Sequence, residues 1–277
     1  MNAATKPPIG RDTTLCMSLA ARPGNFGSRF HNRLYDRLGL DYVYKAFTTD
    51  DLEGAVRGLR ALGVRGCAIS MPFKEAVIPL LDGLAGSAAA IDSVNTIVND
   101  DGRLTGYNTD YSAVRDLLDR ARVDTALPFT LRGSGGMAKA VAAALRDRGH
   151  RTGTIVARNE GAGRALAASY GFSWRAEVGD GAALLVNATP IGMSGGDEQA
   201  LAFPHAAIKA CRVAFEVVAL PAETPFLRDA RAAGKTTIAG ADVAVLQALE
   251  QFILYTGARP GDDDVAHAAA FARGEID

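Results

Sequence analysis

Cysteine is scarce in this chain of 277 residues, and the little there is does not cluster. Cys16, Cys67 and Cys211 lie far apart and no Cys-x-x-Cys occurs, which argues against a disulfide scaffold and for buried, reduced thiols. The four histidines (His31, His150, His205 and His267) are dispersed as well, so no metal site is expected. An excess of one charge is also missing. The 30 Lys and Arg against 31 Asp and Glu leave a formal net charge of -1, with no basic stripe to hold nucleic acid. No apolar run approaches the roughly 20 residues of a membrane span. Lys6, Arg11 and Asp12 interrupt the N-terminal stretch, so no secretory leader is expected and the expected location is cytoplasmic. What is plentiful is apolar residues, at 48% against 22% charged, enough to bury the core of one large or two medium domains.

Short apolar runs alternate with helical patterns. Leu15–Leu19, Tyr42–Phe47 and Val64–Ile69 read as strands, with a helix over Ser28–Leu38 and another begun by Thr49 or Asp50. A hairpin follows, Val94–Val98 and Leu104–Tyr107, turning at Asn99-Asp100-Asp101-Gly102. Its register sets Asn95 opposite a residue near Tyr107, at the same end as Asp110. A helix then runs to about Arg122. The second half starts a βαβ unit with strand Phe129–Leu131, helix Met137–Arg148 and strand Thr154–Ala157. Further strands are expected at Ala183–Val186, Val213–Val218 and up to Ile238, and helices over Asp242–Tyr255 and Asp264–Arg273. Such alternation implies an α/β fold.

Between the first strand and helix of that βαβ unit lies Gly133-Ser134-Gly135-Gly136-Met137-Ala138, a GxGxxA loop. Gly133 makes the tight turn, Gly135 lets the backbone approach a pyrophosphate, and Ala138 allows close helix–strand packing. The helix N–H groups face the phosphates. NAD sites usually place an acid after the second strand; here Ala157-Arg158-Asn159 stands there. Arg158 suits the 2′-phosphate of NADP, although Glu160 lies close by. Arg132 and Lys139 either add positive charge or are plain surface residues.

Two phrases earlier in the chain complement this loop, Ser70-Met71-Pro72-Phe73-Lys74 and Gly106-Tyr107-Asn108-Thr109-Asp110. Oxidising an alcohol removes a hydride from carbon and a proton from oxygen, and some side chain must take that proton. Taken singly, Lys74 reads as a solvated charge and Asp110 as a helix cap. Together they make a proton-handling pair, unless Asp110 instead binds the hydroxyl itself.

These motifs, in this order, resemble the shikimate dehydrogenase family. The likeness extends over Val94-Asn95-Thr96, over Asn187-Ala188-Thr189-Pro190-Ile191-Gly192-Met193, over Pro221-Ala222-Glu223-Thr224-Pro225 and over Gln247. The resemblance implies a Lys74–Asp110 catalytic pair, with Asn25, Ser70, Asn95 and Gln247 on the substrate. It places NADP on residues 133–138, Arg158, Asn187, Thr189, Met193 and Gly240. It also implies two domains with a cleft between them. A substrate domain with a mixed sheet would span 1–110 and be completed by helices over 242–277, and a Rossmann-type NADP domain would span 111–241. The implied partner is a small polyhydroxy cyclohexene carboxylate, and the implied state a monomer or homodimer.

The chain departs from the family pattern at the carboxylate end. The family's Ser-x-Ser before His-Asn becomes Asn25-Phe26-Gly27 before His31-Asn32, and a usual tyrosine becomes Ala219. The familiar Gly-Leu-x-Met-Leu becomes Gly240-Ala241-Asp242-Val243-Ala244. The sequence is therefore most similar to the shikimate dehydrogenase-like subgroup. The expected reaction interconverts 3-dehydroshikimate and shikimate with NADP, with low activity allowed for. Quinate or an amino-shikimate as substrate, or a catalytically weak NADP-binding regulator, are the alternatives.

Overall fold

The computed structural model describes residues 6–179 and 182–277. The chain divides into two compact units, residues 6–109 with Val245–Asp277, and Asp110–Ala244.

The first unit contains β1 (Thr14–Leu19), α1 (Phe26–Leu38), β2 (Tyr42–Phe47), α2 (Leu52–Ala61), β3 (Gly66–Ile69), the short α3 (Phe73–Ala76), β4 (Gly83–Leu84), α4 (Gly86–Ala89), β5 (Thr96–Asp100) and β6 (Arg103–Tyr107). Its six-stranded sheet has the order β2-β1-β3-β5-β6-β4. β1 pairs in parallel with β2 and β3, whereas β3–β5 and β5–β6 are antiparallel, so the sheet is mixed. Alternation along β1 sends Cys16 and Met17 to opposite faces. Cys16 joins Phe30, Leu34, Tyr35 and Tyr44 on one side. Met17 joins Leu59, Cys67 and Ile97 on the other.

The β5–β6 hairpin turns on two residues, Asp101 (φ 49) and Gly102 (φ 90). Both lie in the left-handed region, the geometry whose twist matches the flanking strands and which Asp-Gly supplies at least cost. The register pairs Thr96 with Tyr107, and the Asn95 N–H donates to the Tyr107 carbonyl at 3.0 Å. The strand therefore begins at Thr96, because Val94 is diverted: its N–H donates to the Lys74 carbonyl at 2.8 Å. The cap of α2 is Asp51, which accepts from Gly54 N–H at 2.7 Å, and not Thr49 or Asp50. Thr49 instead turns the preceding loop, its hydroxyl oxygen accepting the Asp51 N–H at 3.0 Å.

The second unit contains α5 (Thr109–Arg120), β7 (Phe129–Arg132), α6 (Gly136–Arg148), β8 (Gly153–Val156), α7 (Glu160–Tyr170), β9 (Ser173–Arg175), β10 (Leu184–Asn187), α8 (His205–Ala210), β11 (Val213–Glu216), α9 (Pro225–Ala232) and β12 (Thr236–Ile238). Its sheet is wholly parallel, in the order β12-β11-β10-β7-β8-β9, with the direction of winding reversing at β7. That is the doubly wound arrangement expected of a dinucleotide fold. Ala138, Ala140, Ala142, Ala143 and Ala144 of α6 are fully buried, small side chains that let the helix lie close on the sheet. Phe203, Phe226, Ile208 and Leu185 form a separate apolar cluster.

α10 (Gly240–Thr256) and α11 (Asp262–Arg273) complete the chain. Phe252 and Tyr255 of α10 and Ala268, Ala269 and Ala272 of α11 belong to the Cys16 cluster of the first unit. No helix among the described residues is long and apolar enough to cross a membrane.

Candidate active site

In the first unit, Lys74, Asn108, Thr109 and Gln251 are held by hydrogen bonds to one short segment, 93–96. Ser70 leaves the end of β3 exposed, with its N–H on the Leu19 carbonyl at 2.9 Å and its carbonyl accepting the Phe73 N–H at 2.9 Å. That turn, through a cis Met71–Pro72 peptide, delivers half-buried Lys74 into α3. The Lys74 carbonyl is tied to Val94. One residue on, Asn95 is buried and uses its side chain on Thr109. Its Oδ1 accepts from Thr109 N–H at 2.8 Å and from the Thr96 hydroxyl at 2.8 Å, and its Nδ2 donates to Thr109 Oγ1 at 3.1 Å. Asn108 is fixed beside it, its amide donating to the Ser93 carbonyl at 2.9 Å. Residues 94 and 95 thus support both Lys74 and the residue before Asp110, which sits buried in the first turn of α5. Asn95, expected on the substrate, is engaged in holding Thr109.

Asn25 precedes α1 and accepts the Arg29 N–H with its carbonyl, but its exposed side chain makes no cap bond. Gly27 faces Tyr44, whose hydroxyl would stand 3.5 Å from an added Cβ. Gln247 is half-buried on α10. Gln251, one turn further on, is the residue that sequence reasoning misses. Its Nε2 donates to Thr96 Oγ1 at 3.0 Å and approaches the Asn95 carbonyl at 3.4 Å. The signal is a second glutamine four residues after the first, on the same face of the helix, since a buried amide needs a partner.

In the second unit the glycine loop follows β7 directly. Gly133 has φ +129, and a Cβ there would stand 2.5 Å from the Ala188 carbonyl oxygen, so only glycine fits. Gly135 and Gly136 have nothing within 4 Å of where a Cβ would project, and α6 begins with no side-chain cap and no acid in its first turn. This open, N–H-bearing helix end fits a phosphate. Ser134 and Met137 flank the opening and are half-buried, and Ala138 is buried beneath it.

Arg158 is exposed just beyond β8. The acid that could compete for a ribose, Glu160, is occupied in an ion pair with Arg164 at 2.7 Å. Arg132 ends β7 and donates to the Ala202 carbonyl. Burial, followed by the charge of Arg158, holds its guanidinium below the usual range. Two cations therefore lie near this edge of the sheet, as an anionic ligand would require.

Asn187 and Thr189 occupy the ends of β10 and its loop. Asn187 is fully buried and its amide is engaged within the protein: Nδ2 donates to Ile191 O at 3.0 Å, and Oδ1 accepts the Thr189 hydroxyl at 2.6 Å. Its side chain therefore shapes the loop, and Thr189 and the exposed Met193 are the residues that loop presents. Gly240 is buried where a Cβ would collide with the Val218 carbonyl; it serves close packing at the start of α10.

The chain is similar to several known proteins. A family model described as the shikimate dehydrogenase substrate binding domain matches residues 26–97. A shikimate dehydrogenase-like protein of Haemophilus influenzae is 56% identical over 267 residues, 96% of this chain and 98% of that protein. This chain belongs to the shikimate dehydrogenase family. A solved shikimate 5-dehydrogenase-like protein superposes with a TM-score of 0.94 at 56% identity, covering 96% of this chain and 100% of the other. The Thermus thermophilus shikimate 5-dehydrogenase, solved in complex with NADP(H) and shikimate, gives a TM-score of 0.83 at 30% identity, covering 94% and 99%. These two solved structures share the fold of this chain.

Proposed function

We propose that the protein is an NADP-dependent oxidoreductase that interconverts 3-dehydroshikimate and shikimate. The observation that carries this reading is the support of Lys74 and Thr109 by consecutive residues, Val94 and Asn95, in a chain that also holds an open glycine-loop helix end. The Thermus relative solved with NADP(H) and shikimate supplies the substrate and cofactor of the reading.

The residues present fit the cofactor. Gly133, Ser134, Gly135 and Gly136 would take the pyrophosphate, and Arg158 the 2′-phosphate. Ala138 would keep α6 close, and Thr189 and Met193 would flank the nicotinamide. NADP, when bound, supplies the hydride acceptor. The chain's own residues then handle the proton. Lys74 Nζ accepts it from the reacting hydroxyl as the hydride leaves carbon, and returns it in the reduction direction. Asp110 fixes the ammonium and the hydroxyl in one geometry, and Ser70, Asn25 and Gln247 bind the rest of the ring.

The test is the initial rate of NADPH formation with shikimate and quinate side by side, and NAD as the alternative cofactor. Turnover of shikimate with NADP supports the reading. Bound NADPH without turnover of shikimate removes it. Asn25 and Gly27 favour one second reading, the same hydride transfer on a related polyol acid, because they put one amide and no second side chain where the family pattern has two hydroxyl donors. Turnover of quinate in preference to shikimate would establish that reading.

A further inference from the structure

β11 ends on a carboxylate that water does not reach. Glu216 is fully buried. Its Oε1 accepts from Asn187 Nδ2 at 2.8 Å and from Val218 N–H at 3.0 Å, and its Oε2 accepts from the Thr224 hydroxyl at 3.0 Å. Each partner governs a different stretch of chain. Asn187 shapes the 188–193 loop through Thr189 and Ile191. Thr224 caps α9, accepting from Leu227 N–H at 3.3 Å. Val218 opens the 217–224 loop, which meets the first loop where Ser194 N–H donates to the Leu220 carbonyl at 2.9 Å. One side chain therefore ties two loops together, and their exposed tips carry Met193 and Leu220.

In a doubly wound sheet the dinucleotide lies across the carboxyl ends of the strands at the point where the winding reverses. Here that point is β7. The β8 side, with Arg158, would take the adenosine half. β10 and β11 lie on the other side, where the nicotinamide half would lie.

We propose that Glu216 is a positioning residue for the nicotinamide half of the cofactor, holding the 188–193 and 217–224 loops in their binding arrangement without touching the ligand. This rests on the NADP reading above. A buried charge is expensive, and an apolar residue of similar volume would serve stability better. Such costs persist where geometry is needed for function. Burial pushes the Glu216 carboxyl up to about 7, and hydrogen bonds from Val218, Asn187, Thr224 and Val217 oppose that rise. Asn187, Val218 and Thr224 all donate to it, so the site matches the ionised form. A proton on Oε2 would have to donate to Thr224 Oγ1, reversing that bond and displacing the threonine hydrogen. Charged residues on the neighbouring elements and loops include Arg132 on β7, Asp197 beside the 188–193 loop, Arg212 before β11, Glu223 in the 217–224 loop, Arg228, Asp229 and Arg231 on α9, Lys235 before β12 and Asp242 on α10. Of these, Glu223 pairs with Arg231 and Asp229 with His205.

Glu216→Gln keeps the shape and imitates the protonated acid. The experiment measures binding of NADPH and of 2′,5′-ADP, which lacks the nicotinamide half. Trp174, the single tryptophan, serves as energy-transfer donor to NADPH, and 2′,5′-ADP is measured by competition. Glu216→Gln should weaken NADPH about tenfold, equivalent to about 1.4 kcal/mol, and leave 2′,5′-ADP within about twofold of wild type. In the wild type, which needs no variant to fold, the ratio of the two affinities should change between about pH 6 and about pH 8, with NADPH favoured at the higher pH. The 2′-phosphate is common to both ligands and its titration cancels. The terminal 5′-phosphate that 2′,5′-ADP alone carries gains charge as pH rises and so shifts the ratio toward 2′,5′-ADP, the opposite direction to the one expected from Glu216. Equal weakening of both ligands, no weakening, or a ratio indifferent to pH overturns the positioning role. Wild-type protein that binds neither ligand overturns the NADP reading itself, a result distinct from the others.

Discussion

Asn95 Oδ1 accepts the backbone N–H of Thr109 at 2.8 Å, and so anchors the start of the helix that carries Asp110. The same oxygen accepts the Thr96 hydroxyl, which in turn accepts from Gln251. A chain of hydrogen bonds thus runs from α10 through β5 to the first turn of α5. Asn95→Ala would leave the Thr109 N–H buried and unpaired, at a cost of about 1–3 kcal/mol. The expected outcome is a lower denaturant midpoint and a fall in turnover, with NADPH affinity unchanged. Unaltered turnover at the lower stability would remove Asn95 from the positioning of Asp110.

Lys74 is the residue assigned to proton transfer, so Lys74→Ala should lower turnover by about two to four powers of ten. NADPH affinity should stay within about twofold, since the cation acts on substrate. Lys74→Arg should not restore the rate, because a guanidinium keeps its proton at any working pH. Wild-type turnover in the arginine variant would mean that position 74 supplies charge alone.

Arg158 lies exposed past β8, with Glu160 held away by Arg164. Arg158→Ala should weaken NADP by about one to two powers of ten, the worth of a charge-assisted hydrogen bond, and leave NAD nearly unchanged. Titration of both cofactors against the variant checks this. Equal losses for NAD and NADP would show that the arginine does not read the 2′-phosphate.

The parts legible in the sequence are those where local chemistry and tertiary use coincide. Asp101-Gly102 demands its turn wherever it occurs, and the strand–glycine loop–helix run demands a phosphate-sized opening. What escapes is set by distant neighbours. α7 contains Gly161 and Gly163, which lower helix propensity. Gly163 is required because a Cβ there would collide with the Trp174 indole, a contact no local pattern announces. β4 and β9 are two and three residues long, too short for periodicity to register. α9 did carry a signal, Thr224 as cap followed by Pro225 at the first helical position. In the site, Asn95 and Asn187 read as ligand-facing amides. In the fold both are buried, and their amides orient the neighbours that reach outward. Glu216 shows in the sequence as a lone acid among Val213–Val218, a sign of a partnered buried charge.

His31 gives the first unit a pH dependence of its own. The ring is fully buried, stacked on Tyr44 with centroids 4.4 Å apart, and edged by Phe30 at 5.7 Å. Nδ1 lies 2.9 Å from the Gly27 carbonyl, which can only accept, so Nδ1 carries the proton. Nε2 is buried without a partner. A second proton there would place a cation among aromatic rings with nothing to accept its hydrogen bond, and burial accordingly pushes the imidazole down to about 4. The unfolded chain binds that proton near the ordinary histidine value of 6.5, so between about 6.5 and about 4 it holds more protons than the folded one. Stability from this group is therefore complete above the upper value and is lost as pH falls through the window. Glu216 works in the opposite sense, since its raised value favours the folded state at low pH. The expected outcome is that His31→Phe, which cannot titrate, shows a flatter fall in unfolding free energy than wild type as pH drops through that window. The comparison of the two slopes cancels Glu216 and every other carboxylate common to both proteins. Parallel slopes would mean that the folded imidazole gains its proton as readily as the unfolded one, and that the aromatic cage around it does not exclude charge.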